Sequence, residues 1–551
     1  MRKFFDAGLL LLTILLVQPL HAQKRGLQSI NPTDLRTHMK FLASDELEGR
    51  ETGAPGLYVA SRYLASQAEK IGLVPVEGED GYIQHYTIHE RSYDREKSHA
   101  TITTGSDSLL NSDPFYFFPS IRGDRSVIEG EVVFAGYGIM NEEEGYNDFQ
   151  DLDITGKIVL IMSRAPMNEE GTEARIGGDA YTGLMSFRSK MPYIFSQQPS
   201  AVLVVYDPKS GIRSVEELSS GMADYLSRSR SLDQEEQGPA GSSDRPRMVM
   251  IHRALADQLL ETAGQNLEEI QQEIDRTLEP HSFLLEGTTL RLELQMKDTN
   301  LDMPNVFGMI EGRDPELKEE MILYLAHFDH MGTDGNGGVF NGADDNASGC
   351  VGLLEIAEAF KAEKKPPRRS VGFLWVSAEE IGLFGSNYFA NHPLIPIERI
   401  VSVINLDMIG RTKTAEDALS GRGGLTIAGG DTVKVIGGLQ SSLLMELNEQ
   451  SLREMGMVGN YEFNDINHPE RYFYRSDHIN FARKDIPVLF YSTGTHKDYH
   501  TIADTEDKID YAKFEKMVRM SFNTGFKVAD YRDPIAVDNP MSGWAPQSSS
   551  R

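Results

Sequence analysis

With 551 residues, the chain is too long for one ordinary hydrophobic core and long enough for two domains. Hydrophobic residues make up 40%, as in an ordinary globular protein, and no long low-complexity tract interrupts them. The net charge of −29 excludes a nucleic-acid partner, because phosphate binding needs a basic face.

The opening, MRKFFDAGLLLLTILLVQPLHAQ, reads as a secretory signal. Arg2 and Lys3 form a basic start, Leu9 to Val17 an apolar stretch and Ala22 a cleavage edge. The apolar run falls short of the roughly 20 residues that span a bilayer, so no membrane anchor is expected after cleavage. Cys350 is the only cysteine, which rules out an internal disulfide and suits a bacterial periplasmic or secreted protein. Nothing around Cys350 suggests a nucleophile, so it is assigned to helix packing.

Residues 31 to 73 predict helices. Asn31, Thr33 and Asp34 offer caps, and Leu35, Met39 and Leu42 recur at helical spacing. The turn-rich GRETGAPG precedes a second helix, and the segment is expected only to pack on the sheet that follows. From about 125 to 297 the pattern is strand-rich, with VIEGEVVFAGYGI, KIVLIM and AVLVVY as β-type runs, one helix over roughly 252 to 276, and a polar surface loop over 229 to 246. This stretch carries no metal-ligand cluster and reads as an inserted domain. From 303 onward MILYLAH, SVGFLWVS, IVSVINLD and PVLFYS are near-continuous apolar runs alternating with helices. They predict an α/β fold with a mostly parallel mixed sheet sandwiched by helices. Ligands of such sheets bind at the carboxyl ends of the strands.

The chemistry-bearing residues cluster at those ends. In LAHFDHMG, His327 ends a strand, Asp329 can project from the same face as its supporting carboxylate, and His330 is expected in a supporting or solvent-facing place. NGADDNASG sets Asp344 and Asp345 ahead of a helix, where either acts as a cap or one bridges two metals. SAEEIGLFGS puts Glu379 and Glu380 at the mouth of a buried strand, where carboxylates need a cation or a proton. One of the pair can ligate while the other serves as general base. Asp407 ends the strand of IVSVINLDMIG. GTHKDYHTIADTEDKID offers His496 and His500, between which spacing does not choose, and His478 in YRSDH competes. Two imidazoles and three carboxylates, His327, Asp345, Glu380, Asp407 and His500, form the candidate wall of a two-metal site of zinc or a similar ion.

Together HFD, GADDNASG, EEIGLFGS, NLDM, SDH and HTIADT resemble the zinc aminopeptidase and glutamate-carboxypeptidase-like family of co-catalytic metallopeptidases, over most of residues 300 to 531. Residues 28 to 75 resemble that family's N-terminal helices. VVFAGYGI, DLDITGKIVLIM and AVLVVYDP resemble a protease-associated domain. With the signal peptide over 1–22 and a tail over 532–551, the resemblance implies peptidase segments over 23–124 and 298–531 and an inserted protease-associated domain over 125–297. It implies two Zn2+, with Co2+ or Mn2+ as substitutes. Asp345 would bridge them, His327 and Asp407 would complete one shell, and Glu380 and His500 the other. Glu379 would be the general base of a metal-activated water and Asp329 the supporting carboxylate. Asn346 stands where the family often has another Asp, at a position that does not ligate. The expected activity is an aminopeptidase acting on peptide substrates. The alternatives are a carboxypeptidase of the same fold, with Arg411 or Arg475 reading a terminal carboxylate, or a one-zinc glutaminyl cyclase.

Overall fold

The computed structural model describes residues 24–76, 80–118, 125–218, 220–232, 247–419 and 425–544. The leader over 1–22, the end of the C-terminal tail and most of the polar loop over 229 to 246 lie outside the described residues. The chain divides into two compact units, one of residues 1–87 with 302–551 and the other of residues 88–301.

In the first unit four strands run parallel. Met321–His327 pairs with both Ser370–Val376 and Ile400–Leu406, and the last of these pairs with Val488–Ser492. Antiparallel pairs flank them: 306–310 against 371–375 on one side, and Thr432–Gly437 against Val488–Ser492 on the other. The sheet is therefore mixed and mostly parallel. All seven residues of Met321–His327 are buried, because alternate side chains meet opposite layers. Met321, Leu323 and Leu325 join Phe389 and Phe481 in one core cluster. Tyr324 faces the other way. Its ring lies 6.2 Å from that of Phe360 and its hydroxyl donates to Ser521 O at 2.8 Å. Phe360 belongs to helix Gly349–Ala362 and Ser521 to helix Tyr511–Asp530, whose Asp510 side chain caps the first turn.

The N-terminal segment forms helices Pro32–Leu42 and Pro55–Ile71, joined by the 3-10 turn Asp45–Arg50. Asn31 caps the first helix by accepting from the N–H groups of Thr33 and Asp34. Gly72 ends the second in the left-handed conformation, where a side chain would be strained.

The second unit is built on its own sheet. Ile158–Met162, Ala201–Val205 and Arg247–Ile251 are parallel, and 132–134 continues that order. Three sequence expectations change here. Residues 99–104 pair with 288–293, and 115–118 with 248–251, so the stretch from 88 to 118 is part of this unit rather than of the N-terminal peptidase segment. The single helix over 252 to 276 is two helices, Arg253–Glu261 and Leu267–Thr277. The polar stretch TAGQN breaks them, and Asn266 caps the second by accepting from Glu268 and Glu269 N–H. Arg228–Ser231, read as the start of a loop, is a strand paired with 89–92.

Candidate metal centre

The parallel strands present their ends on one edge. In register, His327 lies beside Val376 and Leu406 beside Tyr491. His327 is the last strand residue, Asp407 directly follows Ile400–Leu406, and Glu379 and Glu380 come just past Ser370–Val376. His500 belongs to the loop after Val488–Ser492. Asp345 is held in the turn Ala343–Ser348 that opens helix Gly349–Ala362, and the peptide after it is cis.

These side chains converge. Asp345 Oδ1 is 3.4 Å from His327 Nε2, while Asp345 Oδ2 is 3.1 Å from His500 Nε2. His327 Nε2 is also 3.6 Å from Asp407 Oδ1, and His500 Nε2 is 3.2 Å from Glu380 Oε2. One carboxylate thus faces two separate donor pairs, one with each oxygen. Ligand atoms of His327, Glu379 and Asp407 lie within 4.8 Å of one another, as do those of His330, Asp345 and Glu380. Asp407 Oδ1 and His500 Nε2 are buried with no hydrogen-bond partner among the described residues. Buried polar atoms are rarely left so. Imidazole nitrogen with carboxylate oxygen is a donor set that suits zinc.

The electrostatics point the same way. Burial works against a charged His500, yet Glu380 and Asp345 push it up to about 10. Burial likewise opposes a charge on His327, but Glu379 and Asp407 raise it well above the ordinary histidine range. The surrounding carboxylates favour the charged form of both imidazoles, an excess of acid that a cation would answer equally well. The two adjacent glutamates part company. Burial drives the Glu379 carboxyl far up, with Glu380, Asp477 and Asp407 adding to it and His327 opposing. Burial and Asp345 also raise Glu380, but His500 and His330 outweigh them and hold it at about 2. Neighbouring carboxyls pulled apart in this way suit different tasks, one as an anionic ligand and one as a proton carrier.

A layer of supporting groups fixes the ligands. Ser476 Oγ donates to Asp407 Oδ2 at 2.8 Å, leaving Oδ1 to face His327. Asp504 Oδ2 accepts from Asp344 N–H at 3.0 Å and Asp345 N–H at 3.1 Å. Asn346 Nδ2 donates to Leu406 O, and its Oδ1 accepts from Met408 N–H, which ties the Asp345 turn to the Asp407 loop. Asp329 stands beside both the His327 ring and the glutamate turn. The ring nitrogen Nδ1 of His327 lies 3.2 Å from the main-chain oxygen of Asp329 and 3.7 Å from its carboxylate. The carboxylate also accepts from Glu379 N–H at 3.1 Å and Glu380 N–H at 3.3 Å, so it shapes the glutamate turn as well.

Tertiary structure also separates the histidines. His500 faces Asp345 and Glu380. His496, 1% exposed, sits instead 3.3 Å from Asp344 Oδ2. His478 is packed edge-on against Phe473 and tilted on Phe490, and burial drops it to about 3. His330 is not solvent-facing: it is 2% exposed, and its Nδ1 lies 2.6 Å from Glu380 Oε1. The signal for it was only a second histidine in LAHFDHMG. Arg411 is committed to Asp498 at 2.7 Å and Asp504 at 3.4 Å. Cys350 is buried, with its Sγ 2.9 Å from His327 O.

A cleft opens on His327, Asp345, Glu380 and Asp407, and Met408, Tyr472, Phe490, Tyr499 and Arg475 line it beside them. It offers an apolar and aromatic wall with one guanidinium.

Residues 305–524 match the family model described as "Peptidase family M28". Among similar curated proteins are "Uncharacterized protein YfbL" of Escherichia coli (strain K12), 28% identical over 220 residues, which are 36% of this chain and 64% of that protein. Another is "Leucine aminopeptidase 2" of Trichophyton rubrum, 26% identical over 191 residues, 34% of this chain and 33% of that one. The matched stretches thus span less than two thirds of either relative. Among solved structures, "Aminopeptidase from Aneurinibacillus sp. strain AM-1" has a TM-score of 0.49 at 17% identity, covering 94% of this chain and 98% of that one.

Proposed function

We propose, from the match of residues 305–524 to the model of peptidase family M28, that the chain is a two-zinc exopeptidase that removes N-terminal residues from peptides. The observation that carries this reading is Asp345, whose two oxygens face two different histidines, 3.4 Å and 3.1 Å away. His327 and Asp407 would hold one ion, Glu380 and His500 the other, with Asp345 shared. Zinc in such a site supplies Lewis acidity for water and for a scissile carbonyl.

The chain's own residues do the rest. Glu379, partly buried and with its carboxyl raised, takes the proton of the attacking water and returns it to the leaving amine. Asp329 keeps Glu379 in place through the main-chain N–H. The aromatic wall of Tyr472, Phe490 and Tyr499 receives the substrate side chain and limits water. Arg475 in the same cleft favours one other reading, a carboxypeptidase that reads a terminal carboxylate. The leader supports export, and the β-type runs of residues 88–301 support a protease-associated insert. Among the described residues no helix is long and apolar enough to cross a membrane.

The test is a metal count with a substrate panel. The purified chain is expected to carry two zinc ions by mass spectrometry, and Asp345→Ala to lose zinc. Aminoacyl anilides with a free amine should be cut and their N-blocked counterparts spared. Equal cleavage of blocked substrates would overturn the aminopeptidase, and unchanged zinc in Asp345→Ala would remove the shared ligand.

A further inference from the structure

The turn between the two N-terminal helices carries a fully buried cation that the sequence did not mark. Arg50 is 1% exposed and sits with a left-handed φ of 51°. Its guanidinium bonds only to main-chain carbonyls. Nε donates to Phe328 O at 2.8 Å, one terminal nitrogen donates to Asn341 O at 2.7 Å and to Leu42 O, and the other donates to Gly342 O at 3.0 Å. Among the described residues it forms no ion pair. Burial opposes its charge, with Asp329, Asp345 and Asp504 favouring it from beyond contact distance, and an apolar side chain would fill the same space at less expense. What an apolar group lacks is a rigid fork that addresses several carbonyls in fixed directions.

Apart from Leu42 at the end of the first helix, those carbonyls belong to the two loops that carry the proposed ligands. Phe328 lies between His327 and Asp329. Gly342 opens the turn that presents Asp345, so close to it that a Cβ on Gly342 would stand 2.1 Å from Asp345 O. The main chain of the same turn adds two more ties. Arg50 O accepts from His330 N–H at 3.1 Å, and Gly49 O accepts from Gly332 N–H at 3.1 Å. Gly49, at φ 66°, is so close to Gly332 O that a side chain would collide with it. Two residues on, Thr52 Oγ1 donates at 3.1 Å to Asp329 Oδ2, the oxygen that also accepts from Glu380 N–H.

We propose that the Arg50 turn is a built-in part of the metal centre. Arg50 is a positioning residue that sets the spacing between the His327 loop and the Asp345 loop, and Thr52 one that orients the Asp329 carboxylate under Glu379 and Glu380. The inference rests on the two-zinc reading. It assigns a function to a segment that carries no ligand.

The test uses the full-length, zinc-loaded protein and two pairs of variants. Arg50→Lys keeps the charge but cannot span both loops. Thr52→Val removes the hydroxyl, and Thr52→Ser returns it. Zinc affinity is read by competition with a chelator, kcat and KM are read on an aminoacyl anilide, and the melting temperature is followed alongside. Arg50→Lys is expected to bind zinc about 10- to 100-fold more weakly, the usual cost of losing an outer support. Thr52→Val is expected to keep its zinc but lose kcat with KM little changed, and Thr52→Ser to restore it. A purely structural role would lower the melting temperature of both and leave zinc affinity and kcat at wild-type values, which would overturn the proposal. Should Arg50→Lys fail to fold, the Thr52 pair decides alone, and wild-type kcat in Thr52→Val overturns it. Wild-type protein that binds no zinc would sink the hydrolase reading itself, an outcome visible before any variant is compared.

Discussion

Each unit buries a cluster of charged side chains, and the two clusters are finished in opposite ways. In residues 88–301, Asp207 is fully buried, and both of its oxygens are used. Arg164 grips it with two bonds of 2.9 Å, Ser163 Oγ donates at 2.9 Å and Gln271 Nε2 at 3.0 Å. Lys190 nearby donates its ammonium protons to the carbonyls of Tyr137, Ser163 and Arg164. In the other unit, the acids and histidines around Asp345 leave Asp407 Oδ1 and His500 Nε2 without hydrogen-bond partners among the described residues. A network whose members satisfy one another holds a fold together. One that leaves inward-facing donors and acceptors idle has room for another partner, which in the function proposed above is a pair of cations.

That contrast can be broken by mutation. The largest expected effect is on the idle cluster: Glu379→Gln should lower kcat about 10²- to 10⁴-fold, the usual worth of a general base, while zinc and fold are kept. Stopped assays with metal analysis on the same sample check both halves, and a near-native rate would return Glu379 to a supporting place. Next comes the satisfied cluster. Asp207→Ala should strand a buried guanidinium and cost about 3–5 kcal/mol in urea unfolding, with zinc content unchanged. A zinc loss there would show that the two clusters are not independent.

A smaller effect is expected from His478, which is buried and neutral in an aromatic setting. Burial puts its folded pKa near 3, below the value of 6.5 it takes when exposed. A depressed pKa adds stability that is present above pH 6.5 and is lost as the pH falls toward 3, because only the unfolded chain then takes up the proton. The loss is on the order of a few kcal/mol. His478→Phe should flatten the melting temperature over that range, and an unchanged slope would assign the acid sensitivity elsewhere. The smallest effect is none at all. The Cys350 thiol is pushed by burial up to about 12, so alkylating reagents should leave it unlabelled until the protein unfolds.

Much of the site was legible because of where strands end. An aspartate, glutamate or histidine at the end of an apolar run is expensive unless something pairs with it, and that cost marked His327, Asp407 and the Glu379–Glu380 pair, while the choice between the two glutamates came from the resemblance. The Asp345 turn and the choice of His500 needed more. His478, His496 and His500 are equally plausible as letters, since all three lie in polar stretches within reach of the same edge. Only the folded loop sends His500 toward Asp345, His496 toward Asp344 and His478 into an aromatic core.

The linear chain therefore decided the types of ligand, their order on successive strand ends, and a parallel sheet covered on both faces. Periodicity and the cost of buried charge are local properties, so they are written in short stretches of residues. The tertiary structure decided which oxygen of Asp345 faces which histidine, that Asp329 holds the glutamate turn as well as standing beside the His327 ring, and that Arg50 clasps two loops far along the chain. The Arg50 bonds reach main-chain carbonyls 278, 291 and 292 residues away. Any residue type exposes the same carbonyl, so no pattern of side chains announces them.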